Sequence, residues 1–520
     1  MSAGGQVGAK LVAEGIEPAA EGIDGLADDG GRPPRPERGQ LVELAIERLA
    51  HGGEGVARYG DGGYVVFVSG AVPGDRVRAE IVKRKRSYAH ARTVEVLAPS
   101  PERIAPTADH PGVAWQVLGY ERQLQIKVEQ VDDALRRIGR LDGYELEPIV
   151  PAIEQWRYRN KLEYSFGADE RGELVCGFHA PGGFKRVEPI EDCLLASPLG
   201  NRAREVALAW ARGQGLRAWD RHRESVAGPE PLLRNLVVRE GRRTGLLQLR
   251  LVSTPGAPKG TDTPESTGEL DVGSLAGALV AELGAERLSG VLWTRSAAPS
   301  ETTMGGESEL VWGEAQLPER LGRADRRLGA GDAGDGAMAE LDLRISAEAF
   351  FQTNTEMADV LYGIAAEYAA LAGWERVYDL YCGIGTIALT LAPRAGEVWG
   401  VELIEPAVAD AIAAAARNQT TNAHFFAGDV RLALPELLAR AGRPDVLVVD
   451  PPRAGLSQKV VRRIAEAAPR RIVYVSCNPT TLAPNAAQLA QSGWRLVKVR
   501  PVDMFPQTPH IECVALFERE

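Results

Sequence analysis

The sequence predicts a multi-domain protein with an N-terminal OB-like β-barrel, a central mixed α/β region and a C-terminal doubly wound α/β domain of the Rossmann type. Three observations support this prediction. The chain has 520 residues, more than one hydrophobic core usually supports. Short β-like runs broken by glycine begin at Leu41, which is typical of a small barrel. Strand-like and helix-like runs alternate regularly after about residue 345, which favours a parallel sheet with helical crossovers.

The composition is that of a globular protein with reduced thiols. Hydrophobic residues make up 44% and charged residues 25% of the chain. Its five cysteines are widely spaced and indicate neither a disulfide framework nor a metal site. The net charge of −11 means that nucleic-acid binding would depend on local basic patches. The first residues show no charged-then-apolar leader, and no apolar run is long enough to span a bilayer, so we expect a cytoplasmic protein without membrane contact and assume a monomer.

Residues 1–38 are rich in Gly, Ala, Asp, Pro and Arg without periodicity, which predicts a disordered tail. Residues 39–100 form the predicted barrel. A basic cluster, Lys83-Arg-Lys-Arg-Ser-Tyr88, lies on a predicted loop between two of its strands. It is either a solvated hairpin tip or a phosphate-binding loop with an aromatic ring available for stacking.

Residues 101–345 begin with a linker helix, YERQLQIKVEQVDDALRRIG, which has apolar residues at helical spacing. The rest is predicted to be a mixed α/β region whose antiparallel strands are separated by turns instead of regular helices. The run Trp156-Arg-Tyr-Arg-Asn-Lys161 interleaves cations with aromatics and fits either a solvated edge strand or an RNA-facing surface. Low-complexity inserts at 255–270 and 329–339 are predicted to be surface loops, and we assign them no function.

Acidic residues stand at the ends of four successive strands predicted within residues 346–520. The run DLYCGIGT at 379–386 lacks the third glycine of a dinucleotide fingerprint, and its Asp379 would repel a pyrophosphate. Asp379 could instead face the cationic, phosphate-free S-adenosyl-L-methionine, and Glu402 could accept both hydroxyls of its ribose. Asp429 and Asp450 end the next two strands. Any one of these residues could be a helix cap, but the set predicts a cofactor cleft.

Cys477 lies where the predicted strand RIVYVS gives way to a loop, on the same edge as Asp450. Its thiol is either a packing group or a nucleophile. The run TPHIE returns the carboxylate of Glu512 toward that edge, and strand alternation turns Cys513 to the other face. A thiol and a carboxylate beside a methyl donor suit methylation of a pyrimidine at C5. Thiolate attack at C6 generates an enolate that can accept the methyl group, and a base then removes the C5 proton.

Five motifs resemble those of the uracil-C5 RNA methyltransferases, in particular the rRNA-type members with an N-terminal TRAM barrel. They are AFFQTN, DLYCGIGT, DPPRAGL, SCNPTTL and TPHIE, and they occur in the family's order within a resemblance that covers about residues 40–520. The resemblance implies that Cys477 is the nucleophile and Glu512 the proton acceptor. It implies contacts to S-adenosyl-L-methionine from Gln352, Tyr381, Thr386, Glu402, Asp429 and Asp450. It also implies that the barrel and the 156–161 run contact RNA.

The chain departs from many rRNA-type relatives in one respect. They hold an iron–sulfur cluster with a C-x5-C-x2-C group upstream of the linker helix, whereas residues 108–116 of this chain contain no cysteine. Cys193 resembles the single later ligand of that cluster, but one thiol cannot hold a cluster. We therefore predict no iron–sulfur cluster.

The resemblance implies an enzyme that forms 5-methyluridine in structured RNA. The predicted TRAM barrel favours 23S ribosomal RNA as its substrate. One alternative is the same chemistry on a uridine in the T-loop of transfer RNA. The other is a non-catalytic RNA-binding protein that retains the fold, and the presence of both Cys477 and Glu512 argues against it.

Overall fold

The structure is a computed structural model that describes residues 35–61, 63–108, 110–180, 186–220, 230–256, 270–322 and 340–519. These residues fall into two compact units. One comprises residues 161–241 and 245–317, and the other comprises residues 35–160, 242–244 and 318–519. The predicted tail lies outside the described residues except for 35–38, as do 257–269 and 329–339 of the two inserts. None of the helices within the described ranges has the length and apolarity that a bilayer crossing requires.

The first strands of the described chain form the predicted barrel sheet. They are β1 (Leu41–Ala45), β2 (Arg48–Leu49), β3 (Gly55–Tyr59), β4 (Tyr64–Ser69), β5 (Arg76–Arg84) and β6 (Tyr88–Ala98). Their order is β1-β5-β6-β4-β3-β2, and each pair is antiparallel except β4–β6. Buried and less buried residues alternate along β4 and β5, as expected for strands with one face on a core. The predicted N-terminal barrel is confirmed.

The structure contradicts one of the two interpretations of the basic cluster at 83–88. Lys83 and Arg84 end β5, and Tyr88 begins β6, so the tip between the strands is shorter than the cluster. Tyr88 is only 8% exposed and packs edge-on against the rings of Phe67 and His90. The interpretation of Tyr88 as an aromatic ring available for stacking is therefore wrong, because the barrel buries it. The cations of the cluster remain exposed.

The same unit contains an eight-stranded sheet. Its strands are β7 (Glu145–Leu146), β17 (Arg376–Leu380), β18 (Glu397–Glu402), β19 (Ala423–Ala427), β20 (Val446–Val449), β21 (Arg471–Ser476), β22 (Trp494–Val502) and β23 (Glu512–Arg519). They are arranged in the order β19-β18-β17-β20-β21-β23-β22-β7. The five strands from β19 to β21 are parallel, and β23 runs antiparallel to both of its neighbours. β20 is fully buried and apolar, as central parallel strands covered on both faces are.

Helices connect these strands and cover the sheet, which confirms the predicted doubly wound domain. They are α1 (Tyr120–Asp133), α4 (Thr355–Ala369), α5 (Thr386–Leu391), α6 (Glu405–Arg417), α7 (Val430–Ala441), α8 (Gln458–Ala467) and α9 (Pro479–Gln491). Helix α8 shows why the sequence folds this way. Ser457 caps its first turn, and Val460, Val461 and Ile464 share the buried face.

The linker helix contributes to the core of the eight-stranded sheet. Val131 at the end of α1 and Leu135 in the turn after it are fully buried in the same hydrophobic cluster as Leu447 and Phe517. β7 adds residues 145–146 to the sheet edge beside β22. The domain boundaries from the sequence stay a prediction, but the core contacts group residues 131–149 with the C-terminal sheet.

The other unit is built on a seven-stranded sheet. Its strands are β8 (Lys161–Ala168), β9 (Leu174–His179), β10 (Val187–Pro189), β11 (Leu233–Gly241), β12 (Leu246–Ser253), β13 (Leu288–Arg295) and β14 (Glu307–Gly313), in the order β10-β9-β8-β11-β12-β13-β14. A two-stranded sheet pairs β15 (Gln316–Gly322) with β16 (Glu340–Ser346), and its residues from 318 onward belong to the unit that contains the eight-stranded sheet.

The connections of the seven-stranded sheet differ from those predicted. β8, β9, β11 and β12 form antiparallel pairs as expected, but α2 (Pro198–Gly213) lies between β10 and β11, and α3 (Val272–Leu283) lies between β12 and β13. β12 and β13 are parallel, and a parallel pair requires a crossover connection, which α3 provides. The prediction of turns in place of regular helices was therefore wrong.

Candidate active site

Three predicted cofactor residues lie at one level of the carboxyl-terminal edge of the eight-stranded sheet. β17 pairs with β18 and with β20 up to Leu380. The next residues in this register are Tyr381, Glu402 and Asp450. Because the three strands are parallel neighbours, the register brings the three residues side by side, at the edge where open α/β sheets bind ligands.

The turn after β17 leaves room beside the sheet edge. Tyr381, Gly383 and Gly385 adopt positive φ angles of 67°, 54° and 79°. A Cβ atom added to Gly383 would meet no atom within 4 Å, so the backbone is open to a ligand there. Burial raises the pKa of the Tyr381 phenol to about 12, which keeps it neutral and able to donate a hydrogen bond.

Glu402 is held at the end of β18 by backbone donors. Its Oε2 accepts from the Gly383 N–H at 3.1 Å and its Oε1 from the Ile404 N–H at 3.0 Å. Each carboxylate oxygen can accept a further hydrogen bond. The next two side chains, Leu403 and Ile404, are 63% and 54% exposed, which places apolar surface beside a fixed acceptor. Sequence reasoning missed these two residues, since apolar side chains after a strand indicate packing as readily as ligand binding.

Asp450 is half-buried, and its carboxylate accepts no hydrogen bond from the described residues. Its backbone N–H donates to the Leu380 carbonyl at 3.3 Å, while its side chain makes no hydrogen bond within the described ranges. Burial raises its pKa to about 7. Such a carboxylate is suited to accept a hydrogen bond or a positive charge from a ligand.

The sequence suggested that Asp379 could face the cofactor cleft, but the structure places it elsewhere. It lies inside β17 and is fully buried, and its Oδ2 accepts from the Ala388 N–H in α5 at 2.9 Å. Burial, reinforced by the nearby Asp450 carboxylate, raises its pKa well above the usual value. Its role in the structure is to join the strand to the following helix.

The other three predicted cofactor residues lie outside this register. Asp429 caps α7 through the Arg431 N–H at 2.9 Å and pairs with the Arg431 guanidinium, so it already has the capping role considered for it. The Thr386 hydroxyl donates to the Tyr362 oxygen at 3.2 Å. Gln352 is 5% exposed, and its backbone carbonyl accepts from Nδ2 of Asn160 at 2.8 Å.

The strand register brings Cys477 and Glu512 opposite each other. β21 pairs antiparallel with β23, and the last pair of this ladder joins Ser476 to Cys513. One step further along the same register lie Cys477 and Glu512. Residues at opposite positions of antiparallel strands point to one face, with Cβ atoms about 4.5–5.5 Å apart. Both residues lie at the carboxyl-terminal edge, and Cys513 lies on the alternate face, as predicted.

The environment of this pair favours its neutral forms. Burial raises the pKa of the Cys477 thiol to about 12, and the Glu512 and Asp450 carboxylates add to this rise. Burial raises the pKa of Glu512 well above its usual value, and its Oε2 has no hydrogen-bond partner within the described residues. Of the five cysteines, Cys477 alone is partly exposed. The site therefore combines a partly exposed thiol with a buried carboxyl group whose Oε2 has no hydrogen-bond partner among the described residues.

Side chains around the next turn fix the position of Cys477. Asn478 caps α9 by accepting from the Thr480 N–H at 3.0 Å, and its Nδ2 donates to the Arg453 carbonyl at 3.2 Å. Ser476 closes the turn through its hydroxyl, which donates to the Asn478 carbonyl at 3.1 Å. The DPPRAGL and SCNPTTL motifs are thus joined by hydrogen bonds.

Sequence reasoning missed three other residues near the site. Tyr362 lies inside α4, and the Asp450 and Glu512 carboxylates are close enough to raise its pKa further. Arg453 is exposed, and its guanidinium lies 3.3 Å from Nδ1 of His510. His51, in a glycine-rich turn of the barrel, is close enough to Arg453 for burial and that cation to lower its pKa to about 4. Only Arg453 carried a sequence signal, since it belongs to DPPRAGL.

Comparisons with known proteins identify the family. Residues 337–520 match the family model of tRNA (Uracil-5-)-methyltransferase, and residues 35–94 match the TRAM domain. An uncharacterized RNA methyltransferase of Halalkalibacterium halodurans is 34% identical over 487 residues, which cover 92% of this chain and 97% of that protein. The chain belongs to the uracil-C5 RNA methyltransferase family. A similar relative from Chlorobaculum tepidum, also an uncharacterized RNA methyltransferase, is 35% identical over 93% of this chain and 98% of its own length.

A solved structure is similar to nearly the whole enzyme. It is the tRNA (uracil-54, C5)-methyltransferase of Pyrococcus abyssi in complex with S-adenosyl-L-homocysteine, with 25% identity, a TM-score of 0.68, and coverage of 92% of this chain and 100% of that chain. The enzyme acts on RNA and uses S-adenosyl-L-methionine. The residues present fit this cofactor, because the open turn at Gly383 and the donor-free carboxylate of Asp450 suit a cationic ligand without phosphates.

We expect the purified enzyme to be colourless and free of iron, even when it is prepared without air. Cys193 is buried, and none of the described residues forms a group of three or more His, Cys, Asp and Glu side chains suited to a metal ion. The thiols therefore do not fit an iron–sulfur cluster. Iron and acid-labile sulfide assays test this prediction, and stoichiometric amounts of both would contradict it.

Proposed function

We propose that the enzyme forms 5-methyluridine in RNA, with 23S ribosomal RNA as its substrate. The observation that carries this proposal is the register of β21 and β23, which places Cys477 opposite Glu512 at the sheet edge beside Asp450. A nucleophilic thiol and a proton acceptor on one face are what methylation at C5 of a pyrimidine requires. The TRAM barrel supports an RNA substrate, and we favour ribosomal RNA among the possible RNAs.

Six residues would hold the cofactor in this proposal. They are Gln352, Tyr381, Thr386, Glu402, Asp429 and Asp450. S-adenosyl-L-methionine supplies the methyl group when bound. Glu402 and Tyr381 would bind and orient the polar groups of the ligand, and Asp450 would accept from its donors or lie near its positive charge. Thr386 would act through its bond to Tyr362, and Asp429 would have to exchange its pairing with Arg431.

C5 of uracil is a poor nucleophile. Cys477 and Glu512 act at different steps to allow its methylation. The Cys477 thiol gives its proton to solvent water, and the thiolate sulfur forms a bond to C6 while the C5–C6 double-bond electrons move into an enolate. Once C5 is methylated, the Glu512 carboxylate takes the C5 proton. The electrons of that C–H bond restore the double bond and expel the sulfur as thiolate. Glu512 is therefore needed after Cys477 has acted.

The rate of covalent adduct formation should rise with pH between 7 and 9. Cys477 attacks as the thiolate, and its raised pKa of about 12 means that only a small fraction is deprotonated in the free enzyme. Below that pKa, each increase of one pH unit multiplies the thiolate fraction by about ten. The rate of adduct formation can therefore rise by at most about tenfold per pH unit. Single-turnover measurements with excess enzyme, alongside RNA affinity over the same range, test this. A rate that is flat or falls with pH would contradict it.

Asp450→Asn should lower the rate of methylation at least about tenfold while the protein stays folded. Loss of a charge-assisted hydrogen bond costs about 1.5–3 kcal/mol, so affinity for S-adenosyl-L-methionine should fall by at least about tenfold. The pKa of Asp450 is raised to about 7 from an ordinary 3.8, so at pH 8 the buried, ionised carboxylate destabilises the folded state. The neutral amide removes this penalty, and we expect a higher melting temperature at pH 8.

Asp445→Asn is the matched control for this variant. Asp445 precedes the same strand, β20, at its other end, where it accepts from the Arg376 N–H at 2.9 Å. It should keep cofactor binding and methylation. Calorimetric titration with the cofactor and thermal melting measure both effects, and near-normal turnover by Asp450→Asn would contradict the assigned role of Asp450.

A uridine in transfer RNA is the second candidate substrate. The likeness to the Pyrococcus abyssi enzyme, whose name specifies uracil 54 of tRNA, supports this candidate. Mapping 5-methyluridine in ribosomal and transfer RNA from a strain that lacks the gene distinguishes the two. Loss of a site in 23S RNA alone supports the proposal, and loss of a T-loop site alone supports the second candidate.

A further inference from the structure

We propose that helix α1, through Gln123 and Lys127, positions the general base Glu512 for the final step of the reaction. The inference rests on the proposed function of Glu512 as the acceptor of the C5 proton. Helix α1 lies outside the predicted catalytic domain at 346–520, and it reaches the site through the loop 503–511, which joins β22 to Glu512.

The carboxylate of Glu512 depends on its backbone for its position. Its side chain makes no hydrogen bond within the described residues, and Oε2 is buried without a partner. Glu512 is also the first residue of β23, where it pairs with Val502. No described residue holds the carboxylate by a hydrogen bond. The path of the preceding loop therefore determines the position of the Glu512 backbone from which the side chain extends.

Gln123 holds the middle of this loop by a reciprocal pair of hydrogen bonds. Its Nε2 donates to Oε1 of Gln507 at 2.8 Å, and its Oε1 accepts from the Gln507 N–H at 3.0 Å. The backbone N–H of Trp115, ahead of the helix, donates to the Gln507 backbone carbonyl at 3.0 Å. Gln507 has a φ of 67°, an unusual conformation for a residue other than glycine, and these three bonds maintain it.

Lys127 holds the start of the loop from the same helix. Its Nζ lies 2.6 Å from Oδ1 of Asp503 and donates to the Phe505 carbonyl at 3.1 Å, and both charged side chains are fully buried. The Tyr120 hydroxyl donates to Oδ2 of Asp503 at 2.8 Å. A buried ion pair is weak evidence for stability, and we infer that this one fixes the position of the loop.

The barrel supports the loop near its other end. A Cβ atom added to Gly53 would lie 2.9 Å from the Pro509 side chain and 3.1 Å from Nε1 of Trp115. The glycine therefore permits a close approach between the barrel and the last residues before Glu512. Residues at the start, the middle and the end of the loop are thus each held by parts of the chain N-terminal to residue 128.

These contacts could serve stability alone, and the two roles predict different kinetics. A structural role would weaken every step through loss of folded protein. A positioning role would slow proton removal at C5, because misplacement of a catalytic group by about 1 Å can cost about 10²-fold, and would leave attack by Cys477 unchanged. Covalent adduct formation and adduct release measure the two steps separately.

The experiment compares Gln123→Ala with Gln130→Ala in the full-length enzyme. Gln130 lies on the same helix, but its Nε2 donates to the Ala50 carbonyl of the barrel and not to the loop. RNA fragments and methyl-labelled S-adenosyl-L-methionine are incubated with each protein, and the covalent complex is followed on denaturing gels. We expect Gln123→Ala to form the adduct within about twofold of the wild-type rate and to release it at least tenfold more slowly. Gln130→Ala should release it at the wild-type rate.

Wild-type release by Gln123→Ala would overturn the inference, and so would equal slowing of formation and release. Slow release by Gln130→Ala would also overturn it, because the effect would then belong to the whole helix. Gln507→Gly, which removes the side-chain bond and suits a positive φ, replaces Gln123→Ala if that variant does not fold, with the same expected result. Glu512→Gln is run in parallel. If it traps no adduct, the proposed role of Glu512 as the base of the last step fails, whereas trapping by Glu512→Gln without slow release in Gln123→Ala rejects only the role of α1.

Discussion

Cys477→Ala should yield neither methylated RNA nor a covalent protein–RNA complex. Without the sulfur nucleophile no enolate forms, and C5 of the uracil is never activated. Removal of a nucleophile typically costs on the order of 10⁴-fold or more in turnover. Because Cys477 is the first residue after β21 and is only half-buried, alanine should preserve the fold. Labelled methyl transfer and denaturing gel electrophoresis of the RNA complex measure both losses.

Cys513→Ala is the matched control for this variant. Cys513 is one register step from Cys477 but fully buried, and it pairs with Ser476 on the alternate face of the strands. Its alanine variant should keep both the adduct and turnover, with at most a small loss of stability. An adduct formed by Cys477→Ala would show that another group attacks C6.

The sequence predicted the doubly wound sheet well, because its evidence is local. Strands such as Val446–Val449 and Arg471–Ser476 are short and rich in β-branched residues. The segments between such strands have apolar residues at helical spacing. The same kind of local pattern predicted that Cys477 and Glu512 lie at strand ends. Their alignment opposite each other depends on the β21–β23 register, which is a property of two segments paired in space.

Burial and long-range contacts could not be predicted from local patterns. Asp379 appeared to be a cleft residue from its place in a glycine turn, but it is buried inside β17 because its carboxylate bonds to α5. Tyr88 looked like an exposed ring beside cations, and the barrel covers it. Gln123 and Gln507 are 384 positions apart in the chain, and nothing in either segment indicates the other.

Glu512→Gln should accumulate a methylated protein–RNA adduct that survives denaturing electrophoresis. The amide is close in size to the carboxyl group, so attack by Cys477 and methylation of C5 remain possible. It cannot accept the C5 proton, however, and the sulfur then stays bonded to C6. A general base contributes about 10²–10⁴-fold, so release should slow by about that factor. An ionised Glu512 adds to the burial that raises the pKa of Cys477, so the neutral amide should not slow the first step.

Glu518→Gln is the control for this variant, because Glu518 lies near the other end of β23 and pairs with Arg471 away from the carboxyl-terminal edge. It should release product normally. The label must be present in the trapped Glu512→Gln complex, since an unlabelled adduct would place Glu512 before methylation and not after it. Normal turnover by Glu512→Gln would make Glu512 only a strand residue. A folded Glu512→Gln protein that forms no adduct would mean that Glu512 assists the attack on C6. The assigned order, with Cys477 first and Glu512 last, requires an adduct that is both methylated and slow to resolve.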